Sequence, residues 1–241
     1  MSTIISRPTE SSDSRDHISS EGTRKRLLLV SYHFPPVGGA GVQRPVKFVK
    51  YLRQFGWDVS VLMAANPSVP VFDNSLLVDI PEETNLVKAR TWEPDYSLKQ
   101  NMASKKQHHQ STSLLSSMKS GCRKIARSAA GLLLQPDSQI LWYPNALKAG
   151  KKLLNEMPHD AILATAPPYS NLILASKLKR ISGLPLIVDF RDEWDLSSKY
   201  LENHQQDRIS HLIQTRLQKS VMQQADAIVA TTKASTQRLL D

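Results

Sequence analysis

The segment Leu186–Trp194, with the sequence LIVDFRDEW, constrains the fold of this chain more than any other. Its first half is a continuous apolar run, and its second half carries Asp189, Arg191, Asp192 and Glu193 in close succession. A strand buried on both faces of a parallel sheet has such an apolar sequence. Charged residues at the carboxyl end of that strand lie where open α/β sheets bind ligands. The segment therefore predicts a parallel sheet with a candidate site at its carboxyl edge.

Segments typical of strands and helices alternate along most of the chain. Short apolar runs predict strands at Arg26–Ser31, Trp57–Met63, Asn85–Ala89, Ala161–Thr165, Pro185–Phe190 and Ala227–Ala230. Apolar residues at helical spacing predict helices at Val42–Phe55, Ala146–Met157, Ser170–Ile181, Arg208–Gln224 and Lys233–Leu240. This alternation implies right-handed crossovers and a parallel sheet covered by helices on both faces. We therefore predict a doubly wound, Rossmann-like α/β domain.

The composition bounds the domain organisation and the cellular setting. Hydrophobic residues make up 40% of the 241 residues, which suffices for a real core, and no apolar run is long enough to span a bilayer. Residues 1–23 are rich in serine, lack the apolar segment of a signal peptide, and are predicted to be a disordered tail before a domain over 24–241. Cys122 is the only cysteine, so we expect no intrachain disulfide and a cytoplasmic location.

The basic charge of the chain is concentrated in one stretch. The formal net charge is +9, and residues 97–135 contain no acid but seven bases, including Lys119, Arg123, Lys124 and Arg127. We interpret residues 96–136 as a basic insert, whose amphipathic part at about 114–134 is either an ordinary surface helix or a helix lying on an anionic membrane. The second alternative would make the protein peripheral at the inner face of the membrane. The stretch has no aromatic residue, so we do not expect nucleic-acid binding.

A glycine loop, Val37–Gly41 with the sequence VGGAG, lies between the first predicted strand and the first predicted helix. Glycines let backbone N–H groups approach a ligand, and the N-terminus of the following helix favours an anion. Gly38, Gly39 and Gly41 are therefore candidates for phosphate or sugar contact, with a flexible turn as the alternative. The loop lacks the dinucleotide spacing, the second strand has no acid at its end, and no Walker lysine is present, which disfavours an NAD site and excludes a P-loop.

Two further loops carry candidate site residues. The proline loop, Ala166–Asn171 with the sequence APPYSN, offers Tyr169 and Ser170, for which ligand contact and a purely structural role are both open. In the charged loop, Asp189–Trp194, we interpret Arg191 as an anion contact and Asp192 as a base or a group that orients a sugar hydroxyl. For Asp189 we expect an internal Asp–Arg pair that fixes the loop.

Histidines and cysteines give no sign of a metal centre. His33 lies near the glycine loop, where it could polarise a ligand, although a single histidine is more often structural. His108 and His109 lie in a low-complexity stretch without partners, and no Cys/His cluster occurs. We therefore expect no metal and no cofactor.

Taken in order, these pieces resemble the N-terminal domain of a family 4-type glycosyltransferase with GT-B architecture. The resemblance runs from SYHFPPVGGAGVQRPVKF through QPDSQILWYPNALKAGKKLL and TAPPYSNLILASKLKRISGLPLIVDFRDEW to ADAIVATTKAS. The pair TAPPYS and DFRDEW at this separation is typical of one subgroup. Glu193 departs from that subgroup, which usually has proline after DFRD, and we expect it to be an exposed loop residue.

The resemblance implies transfer of a sugar from a nucleotide-sugar donor to an acceptor glycan or lipid. It implies that Gly38, Gly39 and Gly41 approach the donor diphosphate, whereas Arg191 and Asp192 take the position that a histidine holds in many relatives. It also implies that the basic amphipathic segment touches membranes. The C-terminal donor domain of the family and its paired glutamates do not follow in this sequence, so we expect a fragment, a truncated product or half of a two-chain enzyme, with little activity alone.

Two other functions remain open at this point. One is a non-catalytic Rossmann-like module that binds a membrane surface or a partner protein. The other is a nucleotide-binding protein of the epimerase type, which the missing acid after the second strand disfavours.

Overall fold

A computed structural model describes residues 3–6, 24–99, 133–194 and 208–240 of the chain. These residues form a seven-stranded sheet flanked by helices. The strands are β1 (Thr3–Ser6), β2 (Lys25–Val30), β3 (Trp57–Ala64), β4 (Asn85–Ala89), β5 (Ala161–Ala166), β6 (Leu186–Phe190) and β7 (Ala227–Ala230). The helices are α1 (Gln43–Leu52), α2 (Tyr143–Glu156), α3 (Ser170–Ser182), α4 (Arg208–Gln224) and α5 (Lys233–Leu240), with 3-10 turns at Ala40–Val42, Arg53–Phe55, Ser75–Asp79 and Ser138–Trp142.

The sheet has the order β1-β7-β6-β5-β2-β3-β4. Strands β2 to β7 are parallel to one another, and β1 pairs with β7 in the antiparallel sense. From β2 the chain continues to β3, toward one side of the sheet, whereas from β5 it continues to β6, toward the opposite side. The winding therefore reverses between β2 and β5, and ligands of open α/β sheets bind at the carboxyl edge next to such a reversal.

Alternate residues of β2, β3, β5 and β6 enter two separate cores, which is why these strand sequences are largely apolar. On β2, Leu28 and Val30 pack with residues of α2 and α3, whereas Leu27 and Leu29 pack with residues of α1. All four side chains are almost completely buried. The doubly wound, Rossmann-like α/β fold predicted from the sequence is confirmed.

Two glycines end helical segments of the fold. Gly56 has a φ of 79° after the 3-10 turn at Arg53–Phe55, and Gly183 has a φ of 74° after α3. Only glycine adopts this left-handed conformation without strain. The predicted helix at Val42–Phe55 is therefore real, but it consists of α1 between two 3-10 turns.

One prediction for the N-terminal tail is wrong over four residues. Thr3–Ser6 forms β1 and pairs with Ala227–Ala230 at the edge of the sheet. Most residues of the TIIS sequence are β-branched, which favours a strand, and this strand covers the free edge of β7. The composition of residues 1–23 taken as a whole does not reveal it. None of the helices in the described ranges combines the length and the apolar character that crossing a bilayer requires.

Candidate functional site

The three loops singled out in the sequence meet at the carboxyl edge of β2, β5 and β6, and Arg191 joins them. Its guanidinium donates to the carbonyl oxygens of Gly41 in the glycine loop and of Pro167 in the proline loop. Its Nε donates to the carbonyl oxygen of Ala166 at 3.2 Å, and its backbone N–H donates to the same oxygen at 3.0 Å. The structure therefore brings these predicted site loops together on both sides of the winding reversal.

The glycines of the first loop are required for two different reasons. Gly38 donates its N–H to the carbonyl of Val71 at 3.0 Å, and a Cβ atom built on Gly38 would lie 2.9 Å from the Cγ1 atom of Val71. Gly39 has open space around it but a φ of 99°, which side chains rarely tolerate. Because Gly38 has no side chain, residues 71–73 can pack against the loop. Gly39 provides the positive φ that the turn of the loop requires.

The glycine loop presents unpaired backbone donors to solvent. The N–H groups of Gly39, Ala40 and Gly41 make no hydrogen bond to another described residue, and all three residues are exposed. No side chain caps the 3-10 turn or α1, and no acid lies in the first turn of α1. Free N–H groups at the N-terminus of a helix attract anions, because the helix dipole adds to the hydrogen bonds. Contact of this loop with a phosphate or a sugar stays a prediction.

The expected internal Asp–Arg pair exists, but its arginine is Arg44 and not the neighbouring Arg191. The carboxylate of Asp189 is completely buried at the end of β6. Arg44, in the first turn of α1, donates to it from Nη2 at 2.6 Å and from Nε at 2.9 Å, and the Thr165 hydroxyl donates at 2.8 Å. This pair fastens α1, and with it the glycine loop, to the sheet.

Asp192 stands at the rim of the site. Asp192 is exposed, and its carboxylate forms no ion pair with any residue in the described ranges. Its backbone carbonyl accepts a hydrogen bond from the hydroxyl of Tyr169 at 3.2 Å. Glu193, expected to be an exposed loop residue, is instead only 12% exposed at its side chain and pairs with Arg238 of α5 at 2.9 Å. The expectation for Glu193 is wrong because α5 folds back against the charged loop.

Tyr169 and Ser170 are engaged with a carboxylate of the chain itself. Asp137 accepts the backbone N–H groups of Tyr169 at 2.6 Å and of Ser170 at 3.1 Å, as well as the Ser170 hydroxyl. The ring of Tyr169 is stacked on Trp194 with centroids 4.5 Å apart. Burial raises the pKa of Asp137 to about 6. The N-terminus of α3 therefore already holds an anion, and ligand contact by Tyr169 and Ser170 stays a prediction.

Glu93 is a second buried acid that the sequence did not single out. Its side chain is completely buried and accepts hydrogen bonds from the hydroxyl of Tyr32, from Lys99 at 2.6 Å and from Ser138 at 2.8 Å. Burial and the neighbouring Glu93 raise the pKa of Tyr32. The cluster ties the loop after β2 to the segment that carries Asp137. No local pattern around Glu93 or Asp137 indicates these contacts, because their partners are distant in sequence.

His33 lies in the loop after β2, next to the winding reversal. Its Nδ1 atom is buried without a hydrogen-bond partner among the described residues, and its ring meets the ring of Tyr32 edge to face at 4.8 Å. Burial, together with the nearby Arg191, lowers the pKa of His33 to about 4. The imidazole is therefore neutral at physiological pH and carries no charge of its own into the site.

The charge state of His33 can be measured directly. We expect the NMR signal of its ring to titrate at about pH 4 in the folded protein, whereas an unfolded histidine titrates near 6.5. The unfolded state binds a proton at this histidine more readily than the native state does. The free energy of unfolding therefore decreases as the pH falls from about 6.5 toward 4. The variant H33N identifies the signal and should lessen that decrease. A midpoint near 6.5 in the folded chain would contradict this description.

The basic residues predicted at a membrane surface lie outside the described residues. These are Lys119, Arg123, Lys124 and Arg127. Their proposed contact with an anionic membrane stays a prediction.

No protein-family model and no curated protein matches this chain. Among solved structures, Phytolacca americana UGT2 complexed with UDP-2fluoro-glucose and pterostilbene is 15% identical over 72% of this chain, with a TM-score of 0.40. Sucrose-phosphate synthase from Thermosynechococcus elongatus is 13% identical over 84% of this chain, with a TM-score of 0.48. A UDP-glucosyltransferase from Polygonum tinctorium is 13% identical over 76%, with a TM-score of 0.37.

The chain spans only 32%, 41% and 34% of those three proteins, respectively. At such identities the likeness concerns the fold alone. The chain is a Rossmann-like α/β domain with a candidate anion site at the carboxyl edge of its sheet.

Proposed function

We propose that this chain serves in the transfer of a sugar from a nucleotide-sugar donor, and that its glycine loop binds the donor diphosphate. The observation that carries the proposal is that the N–H groups of Gly39, Ala40 and Gly41 have no partner among the described residues. They lie in front of a helix that no described side chain caps, at the winding reversal. The resemblance of the loop sequences to glycosyltransferases of family 4 type supports the choice of ligand.

The proposed chemistry follows from the groups at this edge. In glycosyl transfer the bond between the anomeric carbon and the diphosphate oxygen breaks while the oxygen of an acceptor hydroxyl bonds to that carbon. The bonding electrons leave with the diphosphate, which takes up the proton that the acceptor hydroxyl loses. Backbone N–H groups that are already aimed at the departing diphosphate stabilise its growing charge without reorganising. Asp192, exposed and free of an ion pair among the described residues, would orient a sugar hydroxyl.

The proposal also names partners that rest on the sequence alone. The acceptor would be a glycan or a lipid-linked sugar, and the acid-free stretch 97–135 would meet the anionic inner face of a membrane. A second Rossmann-like unit would bind the rest of the nucleotide. No resident metal or cofactor is part of the proposed reaction.

Replacing Gly39 tests the proposed diphosphate site. In G39V the loop cannot keep its φ of 99°, and the new side chain stands among the free N–H groups. We expect the affinity for pyrophosphate and for UDP, measured by calorimetry, to fall about tenfold or more, which corresponds to losing one charge-assisted hydrogen bond.

Gly56, which directly precedes β3, provides a control glycine at the amino edge of the sheet. Gly56 has a φ of 79° and, as at Gly39, a Cβ atom added there would have nothing within 4 Å. G56V should also cost stability, of the order of 1–3 kcal/mol, and leave pyrophosphate binding unchanged. Equal binding by wild type and G39V, or no binding by wild type, would overturn the proposed function.

A further inference from the structure

We propose that Arg191 is a positioning residue that holds the glycine loop against the proline loop, and that it does not itself bind the anion. The proposal rests on the proposed function only for its ligand measurement. Its structural basis is the direction of the guanidinium donors, which point to backbone carbonyls of Gly41, Ala166 and Pro167. These carbonyls belong to the two loops on either side of the winding reversal.

The carbonyl of Gly41 receives no α-helical hydrogen bond because of a proline. Gly41 lies in the 3-10 turn that leads into α1. In an α-helix the carbonyl of residue 41 would accept the N–H of residue 45, and residue 45 is Pro45, which has no N–H. Arg191 supplies a side-chain donor to this oxygen.

The proline loop has the same shortage of donors. Pro167 and Pro168 are consecutive and contribute carbonyl oxygens but no N–H groups. Arg191 provides both its backbone N–H and its side chain to this loop. One planar guanidinium with donors on three nitrogens can serve both loops at once, a geometry that a lysine ammonium cannot reproduce.

The surroundings of Arg191 also favour this role. Asp189, its neighbour on β6, is already paired with Arg44, and Arg191 forms no ion pair with any described residue. Arg191 is partly buried, and this burial lowers the pKa of its guanidinium. A Cβ atom on Gly41 would lie 3.2 Å from the Nη1 atom, so the loop and the guanidinium are in direct contact. Arg191 therefore acts on the ligand through the shape of the glycine loop.

Pro45 makes the proposal testable by rescue. The variant P45A gives residue 45 an N–H that can bond to the carbonyl of Gly41 in place of Arg191. We expect hydrogen–deuterium exchange in residues 38–48 of the full chain to rise in R191Q and in R191K, and to return toward wild type in P45A/R191Q. P45A alone should exchange like wild type. Circular dichroism checks that each variant is folded.

The same variants are then compared for pyrophosphate binding. We expect R191K and R191Q to lose affinity about equally, by about tenfold, and P45A/R191Q to recover at least about threefold of that loss. Near-normal binding by R191K with weak binding by R191Q would show that the charge contacts the anion and would overturn the proposal. Unchanged exchange in both R191K and R191Q, or no rescue by P45A, would overturn it as well. If wild type does not bind pyrophosphate, the proposed function fails, while the exchange data still decide the role of Arg191.

Discussion

Replacing Arg44 with alanine should destabilise the protein by about 3–5 kcal/mol, because it leaves a buried carboxylate without its counter-charge. Asp189 has no exposed side-chain surface, and of its remaining contacts only the Thr165 hydroxyl at 2.8 Å is a described side-chain donor. The loss would be measured as a lower urea midpoint in denaturation followed by circular dichroism. We also expect the glycine loop to exchange faster, since Arg44 fastens the start of α1 to β6.

An exposed ion pair in the same chain provides the control for Arg44. Arg24 and Asp58 pair at 2.8 Å, with side chains that are 41% and 44% exposed. R24A should therefore cost less than about 1 kcal/mol, because solvent screens the pair. If R44A were no more destabilising than R24A, the buried pair would not be what anchors α1.

Removing the carboxyl group of Glu93 is expected to be comparably damaging. E93A removes the carboxylate that accepts the hydrogen bond of the fully buried Tyr32 hydroxyl and pairs with the ammonium of Lys99. A loss of about 3–5 kcal/mol is expected for breaking such a buried charged network. Urea denaturation measures it under the same conditions as for R44A.

The conservative variant separates charge from hydrogen bonding at Glu93. E93Q keeps the size of the side chain and one acceptor oxygen, so Tyr32 retains its partner. We expect E93Q to lose about 1–3 kcal/mol, clearly less than E93A. Wild-type stability in E93A would mean that this cluster does not hold the loop after β2.

The fold could be predicted from the sequence because its signals are local. Predominantly apolar runs such as Leu186–Phe190 mark buried parallel strands, and the glycines at 56 and 183 mark helix ends. Helices α4 and α5 and the strands β4 and β7 have the bounds that the sequence predicted. The missed element is β1, whose four residues carry too short a pattern to be distinguished from a tail.

The site could be predicted only in outline. The meeting of three loops follows from topology, since the carboxyl ends of parallel strands share one edge. The partners of each side chain do not follow, because they depend on three-dimensional packing between segments far apart in the chain. Asp189 pairs with Arg44 across 145 positions, and Arg191 reaches Gly41 across 150. Sequence neighbours such as Asp189 and Arg191 suggest a pair that the fold does not make.

Binding of a diphosphate to the free N–H groups of the glycine loop is central to the proposed function, and an NMR titration tests it most directly. Pyrophosphate is added to the ¹⁵N-labelled full chain, and the amide signals are followed. We expect saturable shifts that are largest for Gly39, Ala40 and Gly41 and absent around Gly56, which also has a positive φ but lies at the other edge of the sheet. Shifts confined to other parts of the chain, or no saturable shift in the glycine loop, would contradict diphosphate binding at this loop.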